Sequence, residues 1–304
     1  MRQYGRYVPI FQKGCTADKI IIGIRLQRNM NAKVLSIYEE GSLVGTKLIG
    51  AKGFALLVDV DGEKTLFDTG RKSGYLIQNL SQLGIEFDSI DRIVLSHGHR
   101  DHTGGLNGFL EELENPIKIY SKKECWEPRA DSLKGIRLKN TGTFEIQEHN
   151  KEKAIMETVD GMTELSENLF ILPLPAGDPD GRHMKYENGS WKDDDFSDEI
   201  ALVLKTKGGP VLMTGCAHSG LIPALDAVRT ATGKNAMAVV GGVHTVKKKK
   251  AEIEALAVAV SNEKVVPQLY LSHCSTPDSK TLMRVKLGLT GVKEFYVGTE
   301  LIFE

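Results

Sequence analysis

Cysteine is scarce in this chain and nowhere paired. Its four cysteines, Cys15, Cys125, Cys216 and Cys274, are scattered through 304 residues without a CxxC pair or a disulfide-scaffold spacing. A reduced, cytoplasmic setting is the expectation, and any special cysteine is a metal ligand or a buried thiol. Long hydrophobic runs are missing as well. The apolar stretch at 20–24 is too short for a secretory signal, and nothing approaches a membrane span. Nor does one sign of charge dominate. Lys+Arg (39) and Asp+Glu (40) nearly cancel, so nothing global points to nucleic acid or an anionic membrane. The lysine run at 247–250 reads as a solvated end before a helix, with steering of an anionic substrate as its other use. A small molecule is the expected partner, and the oligomeric state is left open.

What is present is a regular alternation of strand and helix patterns. Residues 33–38 and 54–60 read as strands, Asp61-Gly62 as a hairpin turn, and 64–67 as the returning strand. Leu76, Leu80 and Leu83 recur at helical spacing, as do Leu106, Phe109, Leu110 and Leu113. Strands are expected at 91–96, 117–120, 169–174, 200–204, 211–213, 236–240 and 268–271, and across 294–303. Helices are expected at 221–232 and 251–261. Gly208-Gly209 marks a second hairpin. No repeat of solenoid length is seen. The pattern predicts an α/β (α+β) fold of two packed mixed sheets with helices outside, in a single domain over 1–304. Residues 1–30 read as an arm or extra strand. The least regular stretch, 121–195, includes the loop 176–183 and the acidic run 193–195, and reads as an insertion or lid.

The chemistry is concentrated in LSHGHRDHTGG at 95–105. Three histidines and an aspartate occupy six positions directly after a strand. One histidine there would be an ordinary cap or core residue, but three with a carboxylate have no place in an apolar core. His97 and His99 are placed to share one ion, and Asp101 and His102 to face a second. Such nitrogen and oxygen donors suit zinc, iron or manganese and leave a position open for water. Three more apolar strands end in histidine, at His218, His244 and His273. Strand ends cluster on one rim, so His218 and His273 are expected ligands, while His244 stands between ligand and ordinary polar residue. Cys216 is either a thiolate ligand or a small buried hydrophobe. Asp68, in FDTG at 67–70, is either an Asx-turn residue or a carboxylate orienting a ligand histidine. His149 lies in a polar loop without such context.

The HxHxDH run, the upstream FDTG and the downstream strand-end ligands resemble the metallo-β-lactamase superfamily, over about residues 50–304. The resemblance implies a four-layer αββα sandwich with a metal site on one rim. His97 and His99 match the first-metal histidines, Asp101 and His102 the second-metal pair, and His273 the late histidine. TGCAHSG, GGVH and the final HC resemble most one branch, the 7,8-dihydropterin-6-methyl-4-(β-D-ribofuranosyl)aminobenzene-5′-phosphate synthases, linked to methanopterin biosynthesis. The chain departs from the general pattern twice. Cys216 replaces the bridging aspartate, and Asp178 stands where an imidazole is usual, with His218 as the nitrogen that could replace it.

The expected function is a metal-dependent enzyme acting on a phosphorylated small molecule, with one or two divalent ions. Zinc leads, since His99 stands where diiron relatives have glutamate; manganese and iron are the alternatives. A hydrolase would use metal-bound hydroxide, with Asp101 as ligand and proton acceptor. His244 would bind a substrate phosphate or protonate a leaving group. A pterin-synthase-like transferase would use the same metal as a Lewis acid, helping pyrophosphate leave a pterin methyl carbon as an arylamine attacks. The alternative in another class is an iron-dependent oxygenase or redox protein.

Overall fold

Alternation along the strands decides the layers. In the strand Ala55–Val60, Leu56, Val58 and Val60 enter one core while Ala55 and Leu57 enter another. In Ile200–Leu204, the residues Ile200, Leu202 and Leu204 join the first of these cores, and Ala201 and Val203 a third. Residues two apart on a strand share a face, so both sheets are covered on both sides. The shared core lies between the sheets, and each outer core lies under helices. The result is an αββα sandwich, as the sequence pattern predicts.

The computed structural model describes residues 30–133, 136–142, 145–179 and 181–304. Cys15 and the arm expected over 1–30 lie outside the described residues, Met30 excepted. The chain opens with β1 (Ala32–Tyr38), β2 (Ala55–Val60) and β3 (Glu63–Phe67), then helix α1 (Ser73–Gln82) and β4 (Arg92–Val94). Helices α2 (Arg100–Thr103) and α3 (Leu106–Glu112) lead to β5 (Ile117–Ser121), β6 (Arg129–Leu133), β7 (Ile136–Gly142) and β8 (Ala154–Thr158). Next come β9 (Thr163–Glu164), β10 (Leu169–Pro173), β11 (His183–Glu187), β12 (Ser190–Asp193), β13 (Ile200–Leu204) and β14 (Val211–Thr214). The last part runs through α4 (Leu221–Thr232), β15 (Ala238–Gly241), α5 (Lys250–Ser261), β16 (Gln268–Leu271), α6 (Pro277–Leu287), β17 (Val292–Glu294) and β18 (Glu300–Phe303).

One sheet has the order β18-β1-β2-β3-β4-β5-β8 and the other β17-β16-β15-β14-β13-β10-β9. The strands β3, β4, β5 and β8 are parallel, as are β14 to β17. Parallel pairing sends the loops after β3, β4, β14, β15 and β16 to strand C-terminal ends, where α/β sheets build their sites. No helix among the described residues is long and apolar enough to cross a membrane.

Two readings of the sequence are revised. The interval 121–195 is not one irregular excursion: β8, β9 and β10 belong to the main sheets, and only β6, β7, β11 and β12 form a separate four-stranded antiparallel sheet. The apolar pattern across 294–303 is two strands, β17 and β18, at the edges of opposite sheets. Helix α6 has no counterpart in the sequence reading, although its start is written there. Pro277 occupies its first turn, and the Thr276 hydroxyl caps it by accepting the Ser279 N–H at 3.2 Å.

Candidate metal centre

The carboxylate of Asp68 is the hinge of the centre. It is fully buried, and its Oδ1 accepts the Ser96 N–H at 2.6 Å. Its Oδ2 accepts the Ser96 hydroxyl at 2.6 Å and His102 Nδ1–H at 2.7 Å. Because the Ser96 hydroxyl gives its only hydrogen to Asp68, it must accept from His97 Nδ1, 2.9 Å away. Both His97 and His102 therefore carry their proton on Nδ1 and turn the Nε2 lone pair into the centre. That is the arrangement a metal-ligating histidine needs.

The left-handed φ of 64° at Asp68 gives a clean test of this role. Asparagine tolerates that conformation as well as aspartate does, so Asp68→Asn removes the charge and leaves the turn. Metal affinity, read by competitive chelation, is expected to fall roughly 10- to 100-fold with the fold intact. An unchanged affinity would assign Asp68 to the turn alone.

Two groups of donors gather over this support. His97, His99 and His218 each place one ligand atom within 4.8 Å of the others, and so do Asp101, His102 and His273. His97 and His99 thus fall in one group and Asp101 and His102 in the other, while His97 and His102 also share a group with Cys216. His97 Nε2 and His99 Nδ1 stand 3.1 Å apart. Two nitrogens about 2.05 Å from a tetrahedral zinc would be about 3.3 Å apart. His218 Nε2 is buried with no hydrogen-bond partner among the described residues, an unpartnered donor atom of the kind an ion would occupy. The residues present thus fit a divalent ion.

His218, and not Asp178, stands beside His97 and His99. Asp178 is exposed, while the His218 ring is 5.0 Å from that of His97 and 5.1 Å from that of His99. Phe196 stacks on it at 4.0 Å and 2° from parallel, fixing its plane. The His218 N–H donates to Glu199 Oε2 at 2.7 Å. Burial pushes Glu199 up to about 8. Cys216 lies between the groups, with its Sγ 3.3 Å from His102 Nε2. It also forms a group with His97 and His102.

Electrostatics keeps three of the imidazoles neutral. Burial, then mutual repulsion among the rings, holds His97, His99 and His218 well below the usual histidine value. Asp101 goes the other way. Burial opposes its charge, but His102, His273, His99 and Lys52 outweigh burial and hold it well below the carboxylate range. His273 is clamped differently. Its N–H donates to Glu39 Oε2 at 2.5 Å, and its ring pairs with Glu40 at 3.1 Å and Asp101 at 3.7 Å. Burial lowers its basicity, and the hydrogen bond to Glu40 with the nearby negative groups raises it, to about 10. An ion at Asp101, His102 and His273 therefore competes with a proton.

The backbone around the centre is strained. Asp68, Ala217, His244 and His273 have φ of 64°, 52°, 40° and 51°, and all four follow within three residues of the ends of the parallel strands β3, β14, β15 and β16. Such outliers gather at functional sites. At Gly98, a Cβ would come within 2.2 Å of the Cys125 carbonyl oxygen and 2.3 Å of Arg129 Nη1. The HGH turn can therefore approach Arg129 only as glycine.

The centre opens into a cavity of about 520 Å³. Several residues on its wall escaped the sequence reading. His183, at the start of β11, puts its ring 5.1 Å from His99 and 6.3 Å from His244. Asp131 and Ser132 of β6 join it from the small sheet, and Cys274 joins from beside His273. Lys52, Arg71, Arg100, Arg182 and Lys247 also line the cavity. His149 is far from this constellation, paired with Glu111 at 3.2 Å.

An αββα sandwich with this histidine-rich rim is the architecture of a metal-dependent superfamily. The metallo-β-lactamase superfamily profile matches residues 49–246, and the chain belongs to that superfamily. It is 25% identical over 265 residues to a 7,8-dihydropterin-6-methyl-4-(β-D-ribofuranosyl)-aminobenzene-5′-phosphate synthase of Methanocaldococcus jannaschii, covering 81% of this chain and 88% of that protein. Its fold is also similar to a solved metal-dependent hydrolase of the β-lactamase superfamily. The TM-score is 0.75 at 27% identity, over 89% of this chain and 98% of that one. A diphosphatase of the PhnP family shares the fold, with a TM-score of 0.54 at 16% identity, over 90% and 98% of the two chains.

Proposed function

We propose that the chain is a divalent-metal enzyme for a phosphorylated small molecule, of the pterin-synthase type. The carrying observation is the cationic collar. Lys52, Arg71, Arg100, Arg182 and Lys247 line the same cavity as the histidine centre, against three carboxylates, Glu40, Asp101 and Asp131. Guanidinium and ammonium groups at that position suit phosphate oxygens. The likeness to the archaeal synthase along most of both chains supports the same reading.

The proposed ligands are His97, His99 and His218 for one ion and Asp101, His102 and His273 for the other, with Cys216 between them. A divalent ion there, zinc before manganese or iron, supplies Lewis acidity and lowers the pKa of coordinated water. The protein's own groups do the rest. The collar holds the phosphates, and Asp68 and Phe196 fix the rings of His102 and His218. Asp101, besides ligating, is the candidate acceptor of a proton from the attacking group. The small sheet carrying Arg182 and His183 is proposed as the lid over the cavity. In the synthase reaction an arylamine nitrogen forms the new bond to a pterin methyl carbon, pyrophosphate leaves with the bonding pair, and the amine proton is released. Hydrolysis of a phosphorylated substrate is the second reading, favoured by the likeness to the metal-dependent hydrolase.

The deciding experiment incubates the zinc-loaded protein with a dihydropterin-methyl pyrophosphate and a ribofuranosylaminobenzene phosphate. Coupled product supports the synthase reading; hydrolysis alone of the pyrophosphate or of a phosphodiester supports the second. For either reaction, the double variant Arg182→Ala, Lys247→Ala is expected to raise KM roughly 10-fold or more, from lost charge-assisted contacts. Its kcat should change less. An unchanged KM would remove the collar from substrate binding.

A further inference from the structure

The loops after β14, β15 and β16 bring together a second kind of donor set. Cys216, His244 and Cys274 each offer a ligand atom within 4.8 Å of the others. His244 and Cys274 belong to neither imidazole group. Both cysteines are buried free thiols, and the Cys274 thiol is 3.8 Å from the Cys216 carbonyl oxygen. The His244 N–H donates to Cys274 Sγ at 3.2 Å. Its ring atom Nδ1 is buried with no hydrogen-bond partner among the described residues. At Gly242 a Cβ would lie 2.5 Å from Cys274 Sγ, so the sulfur occupies space that only a glycine there leaves open.

We propose that Cys216, His244 and Cys274 form a third, thiolate-rich ion position that takes a thiophilic cation of the zinc class. Two thiolates and one imidazole are a donor set of catalytic zinc, with a fourth position left open. Here all three residues line the cavity, so that position faces substrate. The two thiols lose their protons to solvent as the ion binds. The ring of His244, read from the sequence as a phosphate ligand or proton donor, becomes a ligand through its unpartnered nitrogen. The proposal leans on the histidine centre only through Cys216.

Cobalt(II) is the probe, because cysteine thiolates bound to it absorb by charge transfer in the near ultraviolet. Metal-free protein is loaded with cobalt(II), and ion content is measured alongside the spectrum. Wild type is expected to show the sulfur band. Cys274→Ala should lose one ion per chain and at least half of that band, and His244→Ala should also lose one ion. His97→Ala should keep the sulfur band while its visible cobalt bands change, which separates this position from the histidine centre. The proposal is overturned if Cys274→Ala matches wild type in ion content and band intensity. It is overturned equally if His97→Ala abolishes the sulfur band, or if thiol counting in denaturant finds Cys216 and Cys274 disulfide-bonded in the purified protein. Should Cys274→Ala fail to fold, His244→Ala decides alone, with unchanged ion content counting against the site.

Discussion

The double variant His97→Ala, Asp101→Ala is expected to lose the ions of the histidine centre and, with them, on the order of 10³-fold or more in turnover. The pair is chosen because each residue serves a different group, His97 with His99 and His218, Asp101 with His102 and His273. The fold should survive. The core between the sheets is built from apolar residues such as Val34, Leu56, Leu202 and Met213, and neither substituted residue belongs to it. Elemental analysis beside far-ultraviolet circular dichroism reads both quantities. A folded variant that holds about two zinc or manganese fewer per chain than the wild type fits the proposed centre. Iron would favour oxygen-dependent chemistry. Equal metal in both proteins would place the ions elsewhere.

The second large effect concerns stability. Arg129 is 1% exposed, and its Nε donates to Asp194 Oδ2 at 3.0 Å while Nη2 pairs with Asp198 at 2.9 Å. Asp198 in turn accepts the Gly98 N–H at 2.6 Å, and Asp194 accepts the Phe196 N–H at 2.8 Å. One guanidinium thus ties the HGH turn to the ring that stacks on His218. Arg129→Met leaves two buried carboxylates without their cation. Breaking a buried pair this way costs about 3–5 kcal/mol, a drop in Tm on the order of 10 °C for a chain of this size. Burial already pushes Asp194 above the usual carboxylate range despite Arg129, and removing the arginine pushes it further. A carboxyl raised in the folded state binds more protons folded than unfolded, so its contribution to stability falls as pH rises. The deficit should therefore be greatest near neutrality and narrow on acidification. A Tm unchanged at pH 7 would show that the network is dispensable.

The sheets were legible wherever a strand alternates between two cores. β2, β13 and β16 announce themselves by apolar runs bounded by turns, and α4 and α5 by helical spacing. The centre was legible because its donors are dense, in the HxHxDH run, or repeat one signature, a strand ending in histidine. What escaped is what pairs only in space. β9 has two residues, too few for a period. Arg129 lies more than sixty positions before Asp194 and Asp198, and each alone reads as a surface charge. His183 looked like part of a loop because β11 pairs with β6, whose partner strand follows from the fold and not from any local pattern. Glu39, Glu40 and Glu199 carry no motif; they are identified by the N–H groups and rings they meet.

The left-handed residues around the rim bear on how this protein can change. Asp68, Ala217, His244 and His273 each hold a conformation that costs an L-residue roughly 1 kcal/mol or more, against a total stability of about 5–15 kcal/mol. The loops that carry the chemistry therefore have the least reserve against further substitution. Strands such as β2 and β13, whose residues sit in relaxed conformations with full cores on both faces, have the most. Drift toward new substrates would then run first through the cavity's outer wall, at Arg182, Asp131 and Lys52. The rim itself would follow only after stabilising changes elsewhere in the sandwich had accumulated.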